Sequence, residues 1–201
     1  MKANINIATL NVNGLTALSS NMNSQQKWST INSTLNHHKL AIVALQETHL
    51  DQHTVDRLHQ GFGSKMDILF SVDPHSPHST AGVAFVINKK RIAPKQCVIH
   101  ELIPGRALFL KIKWHKSETT SLVNVYAPTH RPSHPSFWTK LRDNHSALHL
   151  LNPDFLLGDF NVTEDPIDRA PVHPDDEAAV MALRDLRLAW NLEDTWRHLH
   201  P

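Results

Sequence analysis

Short apolar runs alternate along this chain with longer stretches of helical periodicity, and that alternation restricts it to a mixed α/β class. The most demanding run is Leu40-Ala41-Ile42-Val43-Ala44-Leu45, apolar on both faces of any strand it forms. Such a strand must lie inside a sheet that is covered on both sides. Gly82-Val83-Ala84-Phe85-Val86-Ile87 reads in the same way. Ile5-Asn6-Ile7-Ala8-Thr9-Leu10-Asn11-Val12 instead alternates apolar and polar residues, as a half-buried strand does, and stops at the turn signal Asn13-Gly14. Further strands are expected over residues 67–72, 107–114 and 121–126, the last two as a hairpin around 116–119. Phe155-Leu156-Leu157 reads as a short buried strand ending at Gly158-Asp159. Helical spacing predicts helices over 24–38, 51–59 and 136–150, and a last one from Pro174 to about residue 190. Residues 192–201 read as the beginning of a further segment.

Two hundred and one residues suit one domain over positions 1–201, and 40% apolar against 19% charged residues exclude a disordered chain. Twenty Lys and Arg face nineteen Asp and Glu, so a nucleic-acid partner would have to meet a local basic patch. The lone Cys97 has no intramolecular disulfide partner, which fits a reducing compartment. No run approaches the ~18 apolar residues of a membrane span. The opening Met1-Lys2-Ala3-Asn4 does not read as a secretion signal, so an intracellular location without membrane attachment is expected.

Four polar clusters each sit where a strand ends: Asn11 with Asn13, Gln46-Glu47-Thr48-His49, Tyr126-Ala127-Pro128-Thr129, and Gly158-Asp159-Phe160-Asn161. Loops leaving one edge of a strand scaffold converge and carry function. Glu47 and Asp159 directly follow hydrophobic runs, so they are tied to the core yet emerge at its rim. Carboxylates beside Asn amides offer oxygen ligands and phosphate hydrogen bonds, the chemistry of Mg²⁺. Taken singly, each cluster is an ordinary turn, cap or strand exit. Their specificity lies in all four occurring in this order.

The strings Thr9-Leu10-Asn11-Val12-Asn13-Gly14-Leu15, Leu45-Gln46-Glu47-Thr48, Asn124-Val125-Tyr126-Ala127-Pro128 and Gly158-Asp159-Phe160-Asn161-Val162 together resemble the endonuclease/exonuclease/phosphatase superfamily, with its DNase I-like fold. Within it, the chain is most similar to the apurinic-type endonuclease domain of non-LTR retrotransposons. Pro166-Ile167-Asp168-Arg169 and Leu192-Glu193-Asp194-Thr195-Trp196-Arg197 extend the likeness over almost the whole chain. The resemblance implies an α/β sandwich of two sheets and Mg²⁺-dependent endonucleolytic hydrolysis of DNA, with Mn²⁺ as the substitute metal. It implies Glu47 and Asn11 at the metal. Asp159 would orient or deprotonate the attacking water, Asn161 would bond the scissile phosphate, and Tyr126 would assist the developing charge. Asn13 and Thr129 would contact substrate. A reverse transcriptase normally accompanies such a domain, and action on genomic DNA would place it in the nucleus.

The sequence departs from this pattern in two places. Thr129 stands where many relatives carry Asn, and no Ser-Asp-His occurs in the 201 residues. The domain is therefore expected to lack its C-terminal strands and to nick DNA poorly or not at all. A phosphatase acting on a small phosphorylated substrate and a non-catalytic remnant are the competing readings.

Other features have plainer expectations. His49/His53 and His145/His149 stand four apart, but without a His-Glu-x-x-His pattern they read as solvated helix faces. Lys89-Lys90-Arg91 reads as a solvated turn or a contact to DNA backbone, extended by Arg106, Lys111 and Lys113 if they share its face. Trp28, Trp114, Trp138, Trp190 and Trp196 read as core.

Overall fold

The computed structural model describes residues 4–14, 21–74, 81–116 and 118–199. Two four-stranded sheets face one another. The first is built from β1 (Ile7–Asn11), β2 (Ile42–Gln46), β3 (Met66–Ser71) and β4 (Val83–Asn88), in the order β1-β2-β4-β3. The second is built from β5 (Cys97–Ile103), β6 (Ala107–His115), β7 (Glu118–Tyr126) and β8 (Phe155–Asp159), in chain order. Each sheet carries one parallel pair at an edge, β1 with β2 and β7 with β8, and its other pairings are antiparallel.

Helices α1 (Asn21–His37) and α2 (Gln52–Phe62) contribute to a core with the outer face of the first sheet. Helices α3 (His134–Ala147) and α4 (Glu177–Ala189) do the same for the second, and a short α5 (Thr195–Leu199) follows. Three apolar layers result. Ile42, Ala44, Phe85 and Ile87 meet Leu108, Leu110, Ile112 and Leu122 between the sheets. Val43, Leu45 and Val86 turn outward onto Trp28, Ile31 and Leu35. Phe109, Val123 and Val125 turn the other way onto Trp138, Leu141 and Leu183. Strands covered on both faces have no polar side to show, which is why β2 and β4 read as unbroken apolar runs.

The α/β sandwich expected from the sequence is the observed fold. The expected elements are present with ends shifted by a few residues, and β5 is an addition. Its Val98 and Ile99 are both exposed on an edge strand, so no alternation announces it. Trp28, Trp138 and Trp190 are core residues, as expected, while the side chains of Trp114 and Trp196 lie outside those described.

The histidine pairs are a correction. His49 precedes α2, whose cap is Asp51, and so does not share a helix face with His53. His145 is 2% exposed, with its ring against Trp190 and Phe109 and Nε2 on the Leu151 carbonyl. His149 lies beyond the end of α3.

Candidate active site

Register brings the four polar clusters to one rim. In the first sheet Asn11 pairs with Gln46, so β1 and β2 end side by side. In the second, Tyr126 pairs with Asp159 and ends β7 and β8 together. Strands β1 and β2 pack against β8 across the sandwich, and both sheets deliver their strand ends to the same place.

The Asn11 side chain joins the two sheets. Its Nδ2 donates to Glu47 Oε1 at 2.8 Å and to Asp159 Oδ2 at 2.9 Å, while its Oδ1 accepts from the Asn13 amide at 2.9 Å. Both carboxylates thus lie within hydrogen-bond distance of one nitrogen. The orientation is set by the Asn13 N–H, which needs an oxygen acceptor. Asn11 therefore presents the two carboxylates with a donor, while its Oδ1 is taken by the Asn13 N–H.

Glu47 leaves β2 with φ +54°, and Asn161 leaves β8 with φ +51°. Asn tolerates the left-handed region, whereas Glu pays about 1 kcal/mol or more for it. The turn is held by Gly14 N donating to the Glu47 carbonyl at 2.8 Å and Thr48 N donating to Gly82 O at 3.1 Å. Gly158, at φ +136°, has the Val125 carbonyl 2.0 Å from where a Cβ would stand. No side chain fits there, so the residue before Asp159 must be glycine.

Tyr126 is buried, and its hydroxyl donates to the Glu47 carboxylate. Burial first, then that hydrogen bond and the Glu47 charge, push the phenol up to about 12. At neutral pH it is a fixed donor. Arg106 lies over the Tyr126 ring, Cζ 4.7 Å from its centroid, with Nη1 3.5 Å from the Tyr126 carbonyl. Asn161 donates Nδ2 to Ala127 O at 2.9 Å, and its backbone N–H reaches Asp159 Oδ1 at 3.3 Å. Its carbonyl accepts from Arg169, which forms a 2.7 Å ion pair with the buried Asp175. Burial pushes the Asp175 carboxyl up, but hydrogen bonds from Arg169 and Thr163 outweigh it and hold the group below the ordinary range. Asn13 and Thr129 are exposed at the rim, and no described hydrogen bond links Thr129 to the other six site residues.

This arrangement matches what sequence comparison finds: residues 8–201 match the Endonuclease/Exonuclease/phosphatase family. The chain belongs to that family. An uncharacterized 149 kDa protein of transposon TX1 from Xenopus laevis is 28% identical over 200 residues, which is 98% of this chain and 14% of that protein. The family's DNase I-like sandwich recurs in the AP endonuclease LMAP from Leishmania major, at TM-score 0.70 and 20% identity over 96% of this chain and 68% of that one. It recurs in the endonuclease domain of TRAS1, a telomere-specific non-LTR retrotransposon, at TM-score 0.57 and 11% identity over 93% and 71% of the two chains. The likeness to retrotransposon and AP endonucleases read from the motifs is thereby shown.

Among the described residues, no group of three or more His, Cys, Asp and Glu is placed to hold a metal. The Glu47 and Asp159 carboxylates form a small oxygen-only donor set. That set suits a cation that keeps most of its water and takes the rest from substrate phosphate, which is Mg²⁺ in preference to a structural Zn²⁺.

Sequence reasoning missed two parts of the site. Arg106 had been grouped with a basic patch and instead lies on Tyr126. Beneath the rim, Gln46 and Asn124 are both buried, and Gln46 Nε2 donates to Asn124 Oδ1 at 2.7 Å and to Thr9 Oγ1 at 3.0 Å. Asn124 Nδ2 donates to the Leu45 and Ala84 carbonyls at 3.0 Å, tying β7 to β2 and β4. Two polar residues inside apolar strands, each one or two positions before a site residue, were the available signal.

Proposed function

We propose that this chain is a Mg²⁺-dependent endonuclease that hydrolyses phosphodiester bonds in DNA. The observation that carries the reading is the Asn11 amide nitrogen shared by Glu47 and Asp159, which brings a carboxylate from each sheet to one point on an open rim. Glu47 would hold the cation together with water and phosphate oxygens. When bound, the cation supplies positive charge to the phosphoryl oxygens as they become more negative.

The chain's own residues do the rest. Asp159 Oδ2 accepts the proton of a water aligned for attack on phosphorus, and the hydrogen bond from Asn11 keeps that carboxylate aimed. As the new P–O bond forms, the bond to the leaving sugar oxygen breaks. Asn161 Nδ2 turns from Ala127 O to a non-bridging oxygen, and Tyr126 donates its hydroxyl beside it, as preorganised donors at developing charge do. DNA is favoured as substrate by the AP endonuclease and retrotransposon endonuclease among the structural relatives. The Xenopus relative is about seven times longer than this chain, so a fused reverse transcriptase and action in the nucleus belong to the same proposal.

The test is nicking of supercoiled plasmid with Mg²⁺, with Asp159→Ala as the control for contaminating nuclease. Mg²⁺-dependent nicking is expected, abolished by Asp159→Ala and by Glu47→Ala. Release of inorganic phosphate from inositol phosphates without nicking would make the chain a phosphatase. Neither activity would leave a non-catalytic remnant.

A further inference from the structure

The rim opposite the site is closed by three turns that gather cations. β2 starts, β4 ends and β3 starts at that end, so the turns after α1, after α2 and after β4 meet there. They carry Lys39, Lys65, Lys89, Lys90 and Arg91, and residues 36–41, 63–66 and 88–92 contain no Asp or Glu. A chain with a formal net charge of +1 thus places a quarter of its twenty Lys and Arg in three adjoining turns, and the neighbouring Asp67 lies 3.2 Å from His59 Nε2.

The cluster is held in place by Asn88, 4% exposed. Its backbone N–H donates to Ala41 O at 2.9 Å, its Nδ2 to Leu40 O at 2.9 Å, and its Oδ1 accepts from Lys90 N at 3.1 Å. Lys89 N donates to Lys65 O at 3.0 Å, fastening the third turn. Lys89 Nζ is occupied with Gly63 O at 2.6 Å, and Lys90 Nζ stands 3.5 Å from Asn36 Oδ1. Lys39, Lys65, Lys90 and Arg91 are exposed, and none of the described ion pairs uses them. Lys111 and Lys113 belong to the second sheet and are not part of these turns.

We infer that this end is a second, non-catalytic contact for nucleic acid, binding phosphodiester backbone outside the segment being cut. Four cations free of ion pairs among the described residues fit a repeating anion, because each phosphate they neutralise releases condensed counterions and favours binding. None of the exposed large hydrophobic side chains lies in the three turns, so nothing there would enter a bilayer. The five residues of β2, at about 3.3 Å each, put the patch roughly 15 Å or more from the catalytic rim. A straight duplex across that rim leaves the opposite end uncovered, so the patch serves another stretch of backbone. The choice of nucleic acid as the polyanion rests on the endonuclease reading above.

The experiment is fluorescence anisotropy of a labelled 40-base-pair duplex in EDTA, titrated with the wild-type chain and with a Lys39→Gln, Lys65→Gln, Lys90→Gln, Arg91→Gln variant across a range of salt. Circular dichroism checks that the variant is folded, Lys111→Gln with Lys113→Gln removes two charges elsewhere, and Lys39→Gln with Lys90→Gln is its charge-matched counterpart in the patch. The slope of log K against log salt should become shallower by about 0.9 per lost phosphate contact, hence by roughly 2 to 4, with the Lys111/Lys113 variant close to wild type. Arg at positions 39, 65 and 90 should restore the slope. Equal slopes in wild type and the quadruple variant would overturn the inference. So would absence of duplex binding, or a loss confined to vesicles containing phosphatidylserine, which would make the patch a membrane surface. The proposal fails or stands apart from the catalytic reading: a chain that binds through these residues but does not nick keeps the patch and loses the endonuclease.

Discussion

At the scale of single residues, Tyr126 is the group whose chemistry is most constrained by its surroundings. Burial and the Glu47 carboxylate hold its phenol at about 12, so it stays protonated throughout the range where DNA is stable and can act only as a donor. Arg106 covers its ring and fixes the plane from which the hydroxyl points. Tyr126→Phe keeps the ring and removes the donor, and should slow nicking by about 10²-fold, the usual scale for one donor at a developing charge. Arg106→Lys keeps a cation and loses the flat stacking surface, so its smaller effect should fall on kcat more than on KM. Initial rates at several plasmid concentrations separate the two. A Tyr126→Phe chain nicking at the wild-type rate would remove the hydroxyl from the mechanism.

At the scale of elements, the site depends on how strands of different sheets are joined below it. Asn124, two residues before Tyr126, bridges β7 to β2 and β4 through two carbonyls and through Gln46, the residue before Glu47. Asn124→Leu leaves these buried partners without it, and each stranded polar group costs about 1–3 kcal/mol. Melting should drop by several °C, at roughly 2–4 °C per kcal/mol for a chain of this size. Nicking should fall further than melting predicts, because the carboxylates would lose their common frame. Asn124→Leu with unchanged melting and unchanged nicking would mean the bridge is dispensable. Such inter-sheet contacts were not legible in the sequence, since a buried Asn in an apolar strand has no periodic signature. What was legible had a physical cause on each occasion: β2 and β4 because both faces are buried, Glu47 and Asp159 because they end strands. Strand β5 was hidden by its exposed edge, and the donor orientation of Asn11 by the fact that a sequence does not say which end of an amide a neighbour needs.

At the scale of the whole molecule, stability against pH divides into two windows with different owners. His145 joins α3 to β6 and to Trp190 at the end of α4, and since the Leu151 carbonyl can only accept, its Nε2 carries the proton of a neutral ring. Burial lowers its pKa from the ordinary 6.5, the Leu151 hydrogen bond opposing this only in part. Above 6.5 folded and unfolded chains both hold the ring neutral, and this residue gives no pH dependence. Below 6.5 the unfolded chain takes up a proton that the fold refuses, so stability falls with pH until the folded ring titrates as well. Asp175 acts lower down. Its carboxyl sits below the ordinary 3.8, so its contribution is present above that value and is lost as pH falls through the folded pKa. Melting should therefore be level between pH 7 and 8 and decline from pH 6.5 towards 5, well before the acid loss that Asp175 governs. His145→Phe fills the same aromatic pocket without a titrating group, and should flatten the decline between pH 7 and 5 while leaving the loss below pH 4 in place. Thermal unfolding of both chains at half-unit steps reads this directly. Identical slopes between pH 7 and 5 would assign that window to other histidines among the sixteen.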